Sequence, residues 1–303
     1  MPPDPSLTAG LPTGIELAYE TFGEDDGVPL LLVMGLGAQM IAWDDALCQG
    51  LADRGFRVIR FDNRDVGLSS KVDVGDINVL EGIMAALGGQ PVTAPYHLSD
   101  MADDAAGLLD HLNIQAAHVV GASMGGMIAQ TLAVNHPERV LSLTSIMSTT
   151  GDRDVGQADE AVAAAILRPA ARTRQEAVAA AVAIGRTIGS PEHFDEQRAT
   201  SLAERGFDRC FYPQGVGHQL LAISASGSRT EGLRGLHVPT LVIHGEQDPL
   251  VNVSGGRRTA EVVPGAELMV LPEMAHDIPL IYWPQIIEAI TALAARASAS
   301  KAG

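Results

Sequence analysis

Cysteines, aromatic residues and lysines are scarce in this chain. Its 303 residues include two cysteines, Cys48 and Cys210, two lysines, Lys71 and Lys301, and 4% aromatics. Two cysteines so far apart provide no disulfide framework and match no metal-ligand spacing. They point to a reduced intracellular protein, with a single disulfide as the other possibility. The shortage of aromatics leaves the core to Ala, Leu, Ile, Val and Met. No apolar run is long enough to cross a bilayer, and the proline-rich stretch Met1 to Pro12 lacks the basic-then-apolar order of a secretory signal. A cytoplasmic protein without membrane association is therefore expected. Positive charge is also in deficit: 20 Lys and Arg stand against 37 Asp and Glu, for a net charge of -17. Such a field repels phosphate backbones and anionic lipid surfaces and disfavours anionic substrates. The partner left is a neutral small molecule, with monomer and homodimer both open.

The remaining composition, 46% hydrophobic and 19% charged, fits one large α/β domain or a domain with an insertion. Glu16 to Phe22 reads as a strand, followed by the turn Asp25-Asp26-Gly27. Pro29 to Met34 and Phe56 to Phe61 are short continuous apolar runs, the pattern of strands buried on both faces. Between them, Trp43 to Arg54 reads as a helix. His97 to Leu112 has Leu98, Met101, Ala105, Leu108 and Leu109 on one helical face, with Ser99 as the expected N-cap. A strand at His118 to Val120, a helix at Met127 to Asn135 ended by His136-Pro137, and a strand at Val140 to Met147 come next. This alternation predicts a mostly parallel sheet with helices on both faces. It stops over Asp152 to Arg229, where helical patterns occur at Glu160–Leu167, Gln175–Ile188, Glu192–Arg205 and Gly217–Ser226. Strands return at Val238 to His244 and Glu267 to Leu271, and a helix closes the chain from Trp283 to about Arg296. The expected organisation is a flexible tail over 1–14, a sheet-based core over 15–151 and 230–298, and a helical cap over 152–229.

The richest local signal is Gly121-Ala122-Ser123-Met124-Gly125, a G-x-S-x-G pentapeptide between a strand pattern and a helix pattern. A serine on a sharp strand-to-helix turn has its hydroxyl pushed clear of the backbone, and the flanking glycines avoid clashes in so tight a turn. The helix after it aims its free N–H groups at any anion formed above that serine. A serine hydroxyl needs a neighbouring base, and the base needs a third group to fix its tautomer. His276, in the loop after the last predicted strand, is the candidate base, because loops at the carboxyl ends of parallel strands gather at one sheet edge. Asp248, leaving the strand Val238 to His244, is the candidate orienting acid. Glu246 is a weaker choice in the same loop, and Asp152 and Asp154 are alternatives after the preceding strand. His244 reads as a packed, hydrogen-bonded residue, and His97, His193, His218 and His237 show no nameable partner. No histidine pair has metal-ligand spacing, so neither a metal nor a cofactor is expected. The oxyanion of an attacked carbonyl needs two donors. The Met124 N–H is one, and the Leu36 N–H, in Met34-Gly35-Leu36-Gly37 after the first buried strand, is the choice for the second. Met34, Gly35 and Trp43 are further candidates for contact with substrate, with core packing an equal alternative for Trp43.

The chain resembles the α/β-hydrolase fold family over about residues 15 to 297. Ser123, Asp248 and His276 occur in that family's chain order. Asp62-Asn63-Arg64-Asp65-Val66-Gly67-Leu68-Ser69 looks like its D-x-R-x-x-G-x-S turn, and Asn135-His136-Pro137-Glu138-Arg139-Val140 like its usual exit from the nucleophile helix. The resemblance implies structural roles for Asp62 and Arg64. Met34-Gly35 departs from the family's frequent His-Gly. Within the family, Leu-Val-Met-Gly followed by Trp43, together with Val-Gly-Ala-Ser-Met-Gly, is similar to aclacinomycin methylesterases and bacterial lipase-like esterases. This likeness implies a serine carboxylesterase that needs no cofactor and acts on neutral apolar short- to medium-chain or methyl esters. The rivals are a perhydrolase, haloperoxidase-like or C–C hydrolase reaction on the same triad, and a non-catalytic ligand-binding protein.

Overall fold

A computed structural model describes residues 6–75, 77–166 and 171–301. The chain runs β1 (Leu7–Gly10), β2 (Glu16–Phe22), β3 (Val28–Val33), α1 (Asp45–Ala52), β4 (Phe56–Phe61), α2 (Val79–Leu87), α3 (Leu98–His111), β5 (Ala117–Ala122), α4 (Met124–Asn135) and β6 (Val140–Ile146). It continues with α5 (Glu160–Ile166), α6 (Arg174–Ile188), α7 (Glu196–Arg209), α8 (Pro213–Ser226), α9 (Thr230–Arg234), β7 (Thr240–Gly245), α10 (Ser254–Val262), β8 (Glu267–Leu271) and α11 (Trp283–Lys301). Among the described residues the strands form one eight-stranded sheet in the order β1-β2-β4-β3-β5-β6-β7-β8. The pairs β1/β2 and β2/β4 are antiparallel, and every other neighbouring pair is parallel.

The apolar runs do what continuous hydrophobicity requires: they bury both faces of the sheet. Leu31 and Val33 of β3 point into one core layer with α3 and α4, whereas Leu30 and Leu32 point into the other with α1 and α11. All four are fully buried, which is worth about 1.5–3 kcal/mol for each large side chain relative to an exposed one. Both cysteines are free. Cys48 lies in the second layer, where burial pushes its thiol up to about 12. No helix among the described residues is long and apolar enough to cross a membrane.

Sheet order sets the location of the site. From β3 the chain moves to β4 on one side and later returns to β5 on the other, so β3 and β5 lie side by side with the loops after them diverging. In an open parallel sheet such a reversal opens a crevice at the carboxyl ends of the strands. The registers bring these ends level: Val33 lies opposite Gly121, Ala122 opposite Ile146, and Gly245 opposite Leu271.

Several expectations are corrected. Residues 1–14 are not wholly a loose tail. Residues 1–5 lie outside the described part, but Leu7–Gly10 pairs with Glu16–Tyr19, and Ala9 and Leu11 are buried. Ala9 and Leu11, two positions apart, share the buried side, while Leu7 is exposed, so no full apolar alternation marks this strand in the sequence. The N-cap of α3 is His97 rather than Ser99, and its backbone N–H donates to Asp100 Oδ2 at 2.7 Å. Helix α7 begins at Glu196 rather than Glu192, because Pro191–His193 forms a separate 3-10 turn and the Asp195 side chain accepts the Arg198 N–H at 3.0 Å. The predicted end of α5 at Leu167 lies outside the described residues. Helix α4 starts at Met124, three residues earlier than its periodicity suggests, since Gly125 and Gly126 read as breakers.

Those glycines answer a packing demand. A Cβ on Gly125 would sit 2.0 Å from the Val33 carbonyl oxygen and 2.8 Å from that of Met34, and one on Gly121 would sit 2.1 Å from the Gly125 oxygen. The obstacles are backbone atoms that cannot rotate away. Gly125→Ala is expected to cost at least about 3 kcal/mol in urea-denaturation stability. Gly235→Ala, with negative φ and no neighbour nearer than 3.6 Å, is expected to be neutral or stabilising by up to about 1 kcal/mol.

Candidate active site

Ser123 stands between the end of β5 and the start of α4 with φ 56° and ψ -121°. A non-glycine residue at positive φ is strained, and such strain persists only where the surroundings impose it. Here the Ser123 N–H donates to Ile146 O at 2.9 Å, and Ser148 Oγ donates to Ser123 O at 2.8 Å. Held on both sides, the residue presents its Oγ at the N-terminus of α4, where unsatisfied N–H groups concentrate positive potential.

His276 and Asp248 reach the same point from two other loops. His276 Nε2 lies 2.9 Å from Ser123 Oγ, and His276 Nδ1 lies 2.7 Å from Asp248 Oδ2. Asp248 Oδ1 accepts the Leu250 and Val251 N–H groups at 2.9 and 2.8 Å. Burial alone would raise the pKa of this carboxyl. Hydrogen bonds from His244 and His276, the His276 charge and the Val251 N–H outweigh that penalty and hold it down at about 2. An ionised carboxylate only accepts hydrogen bonds, so Nδ1 of His276 carries the proton and Nε2 offers its lone pair to the serine O–H. That polarity is what a base acting on Ser123 needs.

The sequence alternatives to Asp248 are occupied elsewhere. Glu246 pairs with Arg257 at 3.0 Å, and Asp154 with Arg258 at 3.0 Å. Asp152 accepts from Ser228, Thr230 and Arg258 at 2.5, 2.7 and 2.9 Å. Burial is the largest single influence and would raise the pKa of Asp152, but these hydrogen bonds together outweigh it and hold the group at about 2. His244 is a packed residue, as its sequence position suggests, and its Nε2 donates to Val251 O at 2.7 Å. His218 and His193 do have partners, Asp65 at 2.9 Å and Glu273 at 3.0 Å. Both pairings join segments far apart in the chain, which local reading could not anticipate.

The loop after β3 passes directly over the serine. A Cβ on Gly35 would lie 3.1 Å from Ser123 Cβ and 3.6 Å from its Oγ, so only a bare backbone fits there without displacement. The Gly37 N–H is taken by Gln219 Oε1 at 2.8 Å. The Leu36 and Met124 N–H groups have no acceptor among the described residues, which suits donors awaiting an oxyanion. Of the two places that the sequence leaves open for Trp43, it takes the core. It is 2% exposed and packs in the core layer with α1 and α11, offering no surface to a substrate. The Met34 side chain belongs to the same layer, and its carbonyl accepts Asn63 Nδ2 at 2.9 Å. Asp62 accepts from Met40 N at 2.7 Å, Leu68 N at 2.9 Å and Arg209 at 2.5 Å, while Arg64 grips Asp104 through two bonds. Both therefore brace the surroundings, as the resemblance implies. Sequence reading misses Ser148, Ser190, Arg209 and Gln219, which carry no motif.

The profile of a family described as "alpha/beta hydrolase fold" matches residues 28–281. Rhodomycin D methylesterase DauP of Streptomyces sp. (strain C5) is 29% identical over 300 residues, covering 92% of this chain and 94% of that one. 3-oxoadipate enol-lactonase 2 of Acinetobacter baylyi is 30% identical over 266 residues, covering 86% of each. Among solved structures, a hydrolase from Pseudomonas aeruginosa superposes with a TM-score of 0.69 at 25% identity, covering 97% of this chain and 98% of the other.

Asp248 also sets an acid limit on stability. Its folded pKa of about 2 lies below the ordinary aspartate value, so its contribution is fully present above the unfolded pKa and is lost as pH falls through the folded one. The contribution is about 2 kcal/mol. Urea titrations from pH 5 down to pH 2 should show the wild type losing this increment, and an Asp248→Asn variant should show a correspondingly shallower acid slope.

Proposed function

This chain is a hydrolase of the α/β-hydrolase fold family, and on that premise we propose that it is a serine carboxylesterase. The observation that carries the proposal is the unbroken hydrogen-bond chain from Asp248 through His276 to Ser123 at the N-terminus of α4. His276 accepts the Ser123 proton as Oγ attacks the ester carbonyl. The carbonyl oxygen becomes an oxyanion held by the Leu36 and Met124 N–H groups. His276, its positive charge balanced by Asp248, then protonates the departing alcohol. Water, activated by the same imidazole, attacks the acyl-enzyme and releases the acid. No step requires a cofactor.

The substrate class is argued from charge and likeness. A net charge of -17 disfavours anionic substrates. The similarity to a protein named rhodomycin D methylesterase, spanning nearly the whole chain, supports methyl esters or short- to medium-chain esters of neutral apolar molecules. The segment over 152–229 serves as a helical cap above the crevice, and the protein acts in the cytoplasm on a small-molecule ester.

Nitrophenyl esters of increasing acyl length, together with aryl methyl esters, test this reading. Ser123→Ala is expected to lower kcat by about 10⁶. Asp248→Asn, which keeps the shape but removes the charge that orients His276, is expected to lower it by about 10⁴. Retention of most activity by Ser123→Ala would refute the mechanism. Turnover of carbon–carbon or peroxide substrates far above that of esters would transfer the triad to one of the rival reactions.

A further inference from the structure

The inserted helices touch two loops of the candidate machinery. The first is the loop that carries His276. Between β8 and α11 the stretch around His276 is irregular, and the insertion takes up its backbone donors. The His276 N–H donates to Ile188 O at 2.9 Å, and the Ala275 N–H donates to Ser190 Oγ at 2.9 Å. Ser190 Oγ in turn donates to Asp277 Oδ1, which also accepts the Ser190 N–H at 3.0 Å. Residues 275, 276 and 277 are thus each bonded to the turn 188–190 that ends α6. Ser190 is fully buried, and its hydroxyl must accept from one partner and donate to another.

The second contact is the loop over the serine. Gln219 of α8, also fully buried, accepts the Gly37 N–H through Oε1 at 2.8 Å and donates Nε2 to Arg64 O at 3.0 Å. This bridge fixes the peptide that comes after Leu36. His218 on Asp65 at 2.9 Å docks the insertion on the core without touching either loop, whereas Arg209 reaches both Asp62 at 2.5 Å and Gln39 of the β3 loop at 2.8 Å. Docking and loop contact coincide at Arg209, while Ser190 bonds only the His276 loop among its core partners.

We infer that Ser190 and Gln219 are positioning residues through which the helical insertion aligns the His276 base and the Leu36 oxyanion donor with Ser123. The inference rests on the serine esterase reading and adds that the triad is aligned only while the insertion is seated. Ser190 acts on the base and Gln219 on the oxyanion donor. Misplacing a reacting group by about 1 Å costs roughly 10²-fold in rate, and losing an oxyanion donor costs about 10²–10³-fold.

Ser190→Ala, Ser190→Thr and Gln219→Met should be compared with wild type and Ser123→Ala on one nitrophenyl ester, alongside thermal melts and the rate of Ser123 labelling by a fluorophosphonate. Ser190→Ala and Gln219→Met are each expected to lower kcat by about 10–100-fold, with KM changed less than about threefold. Labelling should slow in parallel. Ser190→Thr, which keeps the hydroxyl, should recover most of the activity lost in Ser190→Ala. Unchanged kcat in both Ser190→Ala and Gln219→Met, while Ser123→Ala is inactive, would overturn this inference and leave the esterase reading intact. A rise in KM at constant kcat would also overturn it, because the insertion would then only bind substrate. An active Ser123→Ala is the separate failure of the esterase reading. Should Ser190→Ala fail to fold, the Gln219→Met kinetics decide the matter by the same criteria.

Discussion

The whole arrangement depends on one backbone constraint: the turn at Ser123, which must be sharp enough to expose a hydroxyl and close enough to β3 to share its loop. The chain meets it by removing side chains where backbones approach. Gly121 accommodates the Gly125 carbonyl, Gly125 accommodates those of Val33 and Met34, and Gly35 leaves room for the serine itself. The positive φ of Ser123 costs on the order of 1–3 kcal/mol. Fully buried neighbours on β3 and β5 offset it, because they fix both ends of the turn. Strain and packing are coupled at this point, so the site cannot relax without disturbing the centre of the sheet.

The second constraint is electrostatic. A chain with a net charge of -17 nevertheless buries several carboxylates. Each has a specific partner: Asp62 with Arg209, Asp65 with His218 and Tyr96, Asp104 with Arg64, and Asp248 with His276. An unpaired buried carboxylate would take up a proton, so these partners decide which groups remain anions. The chain's preference for arginine over lysine has a physical basis here. Arg64 binds both oxygens of Asp104, at 2.6 and 2.8 Å, with the planar fork that an ammonium lacks. Asp248 differs from the other three in that its partner imidazole leads on to the Ser123 hydroxyl, 2.9 Å away.

Much of this is legible in the sequence, for reasons that also mark where legibility ends. The strands at Phe56–Phe61 and Glu267–Leu271 are readable to the residue, because short runs bounded by turn residues leave little freedom. Ser123, Asp248 and His276 are legible because each lies in the connection leaving a strand of a parallel sheet, so topology alone brings them together. Helix α10 escapes a sequence reading, since Gly255 and Gly256 suppress helical propensity. They are present because Cβ atoms there would lie 2.8 Å from Thr149 Cβ and 2.4 Å from His244 Nδ1. Trp43 stays undecided in the sequence because an aromatic near a glycine loop fits equally well as pocket wall or core, and only packing decides. Ser190 and Gln219 stay invisible because nothing in their local sequence encodes a partner, and the contacts they make span 85 and 182 positions.

The insertion meets the core through apolar side chains, among them Leu221 and Ala222 of α8, and through polar groups whose effect is different. Apolar burial is strong but indifferent to small shifts, since sliding one methyl past another changes the buried area little. A hydrogen bond loses most of its value within a few tenths of an ångström and tens of degrees. Loops placed relative to Ser123 by Ser190, Gln219 and Gln39 are therefore held to a narrower tolerance than apolar contacts would give. Gln39 alone donates to both Gly206 O and Cys210 O, at 2.7 and 2.9 Å. Polar interfaces between parts of a chain also separate at lower cost than apolar ones, because water replaces the lost bonds. The bonds of Ser190 and Gln219 therefore add directional precision to an interface that also buries Leu221 and Ala222.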